Sequence, residues 1–235
     1  MERETLLRMY FKNEVKTVAE KAEFVFEKQK RLSEVLNKTE WIMGSDVSRV
    51  DINDKELICA KLLKSIKSSV RRIFMIRKVD DDYCGDCGGG DSFYFSRKLD
   101  NDSSIRYCIF TEGLSRYNSY AFIHKYELMP QMQKWESAKD FIEKLIEIFS
   151  PITIEVIDYT IYNRDESIYK KYLPGWMTYF DSSFDLPELP EWAKVETMPG
   201  GGHLIITTEE DFDPENEEHK KRARTLLPLL QLKRK

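Results

Sequence analysis

The sequence predicts a single α+β domain with a largely antiparallel sheet and about four helices, on three observations. Segments of helical period are few and lie far apart. Segments of period two come in runs between them instead of alternating with helices one for one, a pattern that argues against a parallel α/β sheet. No Pro/Gly/Ser-rich linker divides the 235 residues, so residues 1–235 read as one domain, long enough to bury a core without disulfides or metal.

Taken in chain order, Leu6–Phe11 is a short apolar run, readable as an edge strand or the first turn of a helix. Val15, Val18, Ala22, Val25, Gln29, Leu32 and Leu36 recur three and four apart, the stripe of an amphipathic helix broadened by Phe24 and Phe26 and packed on its own domain. A second helix opens near Asn53 or Asp54, either of which can cap its first amides, with Ile58, Leu62, Ile66 and Val70 inward. Lys61, Lys64, Lys67 and Arg71 line another face. Period two then takes over: Ser92–Lys98 and Ser104–Phe110 flank the polar loop 99–103 as a hairpin, and Ser119–His124 is a third strand. Ser137 or Asp140 opens a helix with Phe141, Ile142, Leu145, Ile148 and Phe149 inward, ended by Pro151. Ile152–Tyr159, Trp176–Phe180 and His203–Thr208 are further strands. Asp213-Pro214 begins the last helix, aspartate at the cap and proline at the first helical position, with glutamates early and basic residues late.

Hydrophobic residues make up 41% and charged residues 33%, the balance of a soluble globular protein. No apolar run reaches the ~18 residues of a membrane span, and no signal-peptide core follows Met1; a cytoplasmic protein is expected. The net charge of −4 hides an asymmetry. Residues 1–154 hold 26 basic and 25 acidic side chains, residues 155–218 hold 4 and 16, and residues 219–235 hold 7 and none. A segment of charge −12 repels nucleic acid and attracts a basic protein surface, although part of that charge serves hydration alone.

Motifs that could carry chemistry are weak. Cys84 and Cys87, in Cys84-Gly85-Asp86-Cys87-Gly88-Gly89-Gly90, could supply half a tetrahedral zinc site. No second pair follows, Cys59 and Cys108 are distant, and the preceding Asp80-Asp81-Asp82 works against a reactive thiolate. Thiols in a turn are the better reading. Pro199-Gly200-Gly201-Gly202-His203 precedes a strand, not the helix a phosphate loop requires, so it reads as a turn needing positive φ. The three histidines form no legible triad, and no Gly-x-Ser-x-Gly elbow exists. Asp211, Asp213, Glu215 and Glu218 miss the calcium-loop template. No catalytic residue, metal ligand or cofactor is expected.

The C-terminal third is nevertheless patterned. Pro174-Gly175-Trp176-Met177-Thr178-Tyr179-Phe180 leads to Leu189-Pro190, then to Gly200–Glu209, Asp211-Phe212-Asp213 and Asn216-Glu217-Glu218-His219. This order resembles the immunity protein 52 family of bacterial polymorphic toxin systems, most specifically over residues 175–219. Leu6–Trp41, Asn118-Ser119 and Phe141–Val156 fit it more loosely, and the Cys84–Gly90 turn departs from it. The resemblance implies that Gly175, Trp176, Pro190, Gly202, Asp213 and His219 are fold determinants and that no catalytic residue carries over. It further implies an antitoxin that binds a cognate toxin, often a nuclease of restriction-endonuclease fold. A nuclease cleft is basic because it holds phosphates, and an acidic partner is steered to it. Glu209, Glu210, Asp211, Asp213, Glu215 and Glu218 are the candidate partner contacts. The competing classes are a small zinc- or thiol-dependent enzyme using the Cys84/Cys87 turn and a regulatory scaffold docking through its long first helix.

Overall fold

A computed structural model describes residues 4–12, 17–43, 48–74, 93–98, 104–111, 117–125, 130–132, 134–162 and 171–234. The fold is α+β. Its strands are β1 (Glu4–Lys12), β2 (Glu40–Met43), β3 (Ser48–Asp51), β4 (Phe93–Lys98), β5 (Ser104–Thr111), β6 (Tyr117–Lys125), β7 (Thr153–Asp158), β8 (Met177–Phe180), β9 (Lys194–Thr197) and β10 (His203–Ile206). Four helices are described: α1 (Val18–Val35), α2 (Lys55–Phe74), α3 (Trp135–Phe149) and α4 (Glu217–Leu229). Two compact units emerge, residues 11–121 and residues 1–10 with 122–235.

In the unit of residues 11–121, α1 packs on α2. The α1 stripe is buried as its spacing predicts: Val18, Ala22, Val25, Phe26, Gln29 and Leu32 are at most 2% exposed. Thr17 caps the helix and Glu20 returns the contact to the Thr17 amide, a reciprocal capping box. Asp54, not Asn53, caps α2, its Oδ1 accepting from the Leu57 amide at 3.0 Å. Ile58, Leu62 and Ile66 are fully buried, which leaves the Lys61/Lys64/Lys67 side of the helix outward. Strands β4 and β5 pair antiparallel with Lys98 opposite Ser104, the pairing expected of a hairpin; the loop 99–103 itself lies outside the described residues. Strands β2 and β3 carry no sequence signal of their own. They pair antiparallel, Trp41 opposite Val50, because Trp41 buries its ring and donates Nε1–H to Ser33 Oγ at 2.8 Å. The Cys84–Gly90 turn lies outside the described residues.

The other unit holds an antiparallel sheet in the order β1-β7-β8-β10-β9. Leu6–Phe11 is therefore strand. Every residue of β7 is buried, as expected of a central strand covered on both faces. One face, carrying Ile154, Tyr179, Leu204 and Glu196 in register, is met by α3, whose Lys139 reaches Glu196 at 2.5 Å. The opposite face carries Thr153, Phe180 and Glu155, and there Tyr172 meets the Phe180 ring edge-on at 5.2 Å. Arg8 and Glu155 stand opposite each other in β1 and β7 and form a buried ion pair, with Arg8 Nε donating at 2.6 Å and the Leu173 amide donating to Glu155 Oε1 at 3.2 Å.

Two helix starts differ from the sequence reading. α3 begins at Trp135, before Ser137 and Asp140, and its cap residue Lys134 makes no side-chain cap bond. Ser137 already lies in the first turn of the helix, where its hydroxyl donates back to the Lys134 carbonyl at 3.0 Å. α4 begins at Glu217, and its cap is Asn216, whose Oδ1 accepts from the Glu218 and His219 amides at 2.9 and 3.4 Å. Asp213 instead closes the turn just before it. Its Oδ1 accepts from the Glu215 amide at 3.0 Å, and its carbonyl accepts from the Asn216 amide at 3.0 Å.

Candidate functional site: an acidic groove beside the last strand

Gly175, Trp176 and Gly202 of the six patterned residues occupy tight places in the sheet unit. At Gly175 a Cβ would stand 2.1 Å from the Val156 carbonyl oxygen and 2.7 Å from Ile157 Cα. Only hydrogen fits between the entry to β8 and β7. Trp176, 2% exposed, donates its backbone N–H to the Val156 carbonyl at 2.8 Å and its Nε1–H to the Thr208 carbonyl at 3.0 Å. It thus ties the start of β8 to the end of β10. Gly202 lies against Tyr179, where a Cβ would meet the ring and hydroxyl at 2.5 Å. Burial, seconded by Asp181, pushes the Tyr179 hydroxyl up to about 12. The β9–β10 turn uses positive φ at Gly200 and Gly201, +83° and +78°, as the triglycine predicts. Pro190 is half-buried in the approach to β9, where its carbonyl accepts from the Ala193 amide at 2.9 Å.

The six candidate contact acids separate into two groups. Glu209, Glu210 and Asp211 follow β10 and line an open groove of about 550 Å³ with Lys134, Trp135 and Glu136 from the start of α3. All three acids are exposed. Asp213, Glu215 and Glu218 do not line it. Asp213 serves its turn, Glu215 is exposed on that turn, and Glu218 pairs with Arg222 one helical turn on, at 3.1 Å.

Lys194 of β9 lies 4.3 Å over the Trp135 ring and pairs with both Glu209 and Glu196, the latter at 3.2 Å. Bonding to Lys139 holds the Glu196 carboxyl below the ordinary glutamate range. Partial neutralisation of Glu209 leaves the groove's negative field to Glu136, Glu210 and Asp211 as well. Among the described residues of 155–218, Glu155 and Asp158 are buried at 0% and 3% exposure and belong to no surface. Burial pushes the Glu155 carboxyl up, against the opposing pull of Arg8.

Trp135 and Glu136 were missed as site residues because the helix start was placed at Ser137 or Asp140. The Lys134-Trp135-Glu136 run just before the apolar periodicity was the available signal. Among the described residues, no three His, Cys, Asp or Glu side chains converge as metal ligands, and no helix is long and apolar enough to cross a membrane.

Residues 163–233 match the Immunity protein 52 family. That span contains Gly175, Trp176, Pro190, Gly202, Asp213 and His219, so the resemblance read from the C-terminal pattern holds there. Within that span, Gly175 and Gly202 sit at close approaches to β7 and β8, and Trp176 joins two strands. No curated protein matches the chain. Among solved structures, the chain is similar to a T6SS protein of Pseudomonas aeruginosa, with a TM-score of 0.53 and 8% identity over 96% of this chain and 73% of that one. At that identity the likeness is one of fold.

Proposed function

We propose that this protein is an immunity protein, a cytoplasmic antitoxin that binds a cognate toxin stoichiometrically and catalyses nothing, residues 1–235 serving as one domain. The observation that carries the reading is a coincidence of place. The Immunity protein 52 match covers most of the acidic stretch of the chain, from residue 163 on, and three exposed acids of that stretch, Glu209, Glu210 and Asp211, line an open groove. The groove suits a basic partner surface. A nuclease toxin has such a surface, since its cleft must hold phosphates, and a protein that covers the cleft excludes the nucleic acid. Specific pairs of this kind bury about 1,600 Å² in total, so the groove is one anchor within a larger contact.

The test uses the toxin encoded beside this protein's gene. Co-expression should protect cells, and the purified pair should associate one to one. Reversing Glu209, Glu210 and Asp211 to lysine should weaken binding at least tenfold while the fold stays intact. The same reversal of Lys61, Lys64 and Lys67 to glutamate should change it little. Failure to protect against that toxin overturns the immunity reading. Protection with only the α2 variant impaired moves the interface to that helix.

A further inference from the structure

His219 is a buried titratable side chain of the family pattern with no part in the groove itself. It is 4% exposed, and it touches the acidic loop at Glu210, Phe212 and Asp213. Its Nδ1 accepts the Asp213 amide at 3.0 Å. Its ring stacks on Phe212, centroids 5.4 Å apart and planes 22° from parallel. Its Nε2 faces Glu210 Oε2 at 3.5 Å. An imidazole nitrogen that accepts carries no hydrogen, so the ring proton sits on Nε2, on the side of the carboxylate. Within the loop, the Glu210 amide also reaches Thr208 Oγ1 at 3.2 Å, and Asp213 closes its own turn.

We propose that His219 is the positioning residue of the acidic loop, its Nδ1 lone pair and ring face holding 210–213 so that Glu209, Glu210 and Asp211 stand along the groove. The reason lies in what the Asp213 amide would otherwise lack. A partly buried N–H without an acceptor costs about as much as a lost hydrogen bond. An acceptor on α4 ties the loop to a rigid element, whereas an acceptor within the loop would leave both ends free to move. A preordered loop loses less conformational freedom when a partner docks. Asn216 serves the same junction from the other side by capping α4, which sets the helical position from which His219 reaches back.

Three measurements on the full chain, none requiring toxin, test this. Nitrogen-15 spectra of the ring near neutral pH should show the proton on Nε2 and an unprotonated, accepting Nδ1. In His219→Phe, which keeps an aromatic face and lacks the acceptor, the Asp213 amide should exchange with solvent at least about tenfold faster, a change of about 1.4 kcal/mol, while β8 amides are unaffected. In His219→Asn, whose side-chain oxygen can stand near the Nδ1 position, exchange should stay within about threefold of native. A proton on Nδ1, native-like exchange in the Phe variant, or an Asn variant as fast as Phe each overturns the proposal. If the Phe variant does not fold, the ring spectrum of the native protein still decides.

Discussion

Gly175 and Gly202 are retained by contact distance, not by dihedral angle. Their φ values are open to any residue, yet a Cβ on either would overlap backbone or ring atoms of β7 and β8. Gly175→Ala should therefore destabilise by about 1–3 kcal/mol through forced backbone shifts, read from denaturant midpoints. Gly200, which has positive φ and open space around it, should lose about 1 kcal/mol on Ala substitution through strain alone. Trp176→Ala should cost about 3–5 kcal/mol, because it removes a buried ring and its bond to Thr208. A fully folded Trp176→Ala protein that no longer binds its partner would make this residue a contact instead. Buried charge behaves differently. Arg8→Met leaves the Glu155 carboxyl buried without its cation and should cost about 3–5 kcal/mol near neutral pH. Since burial raises the Glu155 carboxyl above its ordinary 4.5, its contribution is fully present below that value and is lost as pH rises through the native one. The Arg8→Met penalty should accordingly shrink toward pH 5, and Glu155→Gln should flatten the pH dependence. Urea titrations at several pH values check both.

Helix starts show how an element's boundary depends on more than its cap signal. Asp213-Pro214 fits the start of α4 in the sequence, yet Asp213 Oδ1 takes the Glu215 amide within its own turn while Asn216 Oδ1 takes the Glu218 and His219 amides, which makes Asn216 the cap. Asn216→Ala should thus cost about 1 kcal/mol of stability, more than Asp213→Ala, which removes the Oδ1 bond of the preceding turn. Equal costs measured by thermal unfolding, or a larger one at Asp213, would return the cap to Asp213. The start of α3 has a functional consequence. By beginning at Trp135, before Ser137, the helix places Trp135 and Glu136 in the groove. The short strands β2, β3 and β9 have four residues each, too few for alternation alone to mark them, and they form because neighbours supply partners; β8 and β10 are as short, yet the longer runs 176–180 and 203–208 around them are rich in apolar, aromatic and β-branched residues.

At the scale of the whole molecule, charge is the property that sequence measures and structure redistributes. The count of −12 over 155–218 includes two buried acids and several that pair with Lys139, Lys194, Lys220 and Arg222. What faces a partner is a smaller, localised field at the groove. Association with a basic toxin should still slow markedly as salt rises, with dissociation less affected, because screening acts on the steered encounter. Stopped-flow mixing at low and high ionic strength checks this, and rates independent of salt would assign the contact to apolar groups. Amphipathic helices, the strands of clear period two, the glycine turn and the immunity-protein pattern are legible in the linear sequence, since each is set by local period, local dihedral demand or motif order; β1 is not, because the apolar run Leu6–Phe11 fits strand and helix alike. The grouping of Glu136 with Glu209–Asp211, the Arg8–Glu155 pair across 147 residues, the two glycine contacts and the reach of His219 to Asp213 were decided only in three dimensions. Each depends on which surfaces the packing of α3 and α4 on the sheet brings within a few ångströms, a distance that residue order does not encode.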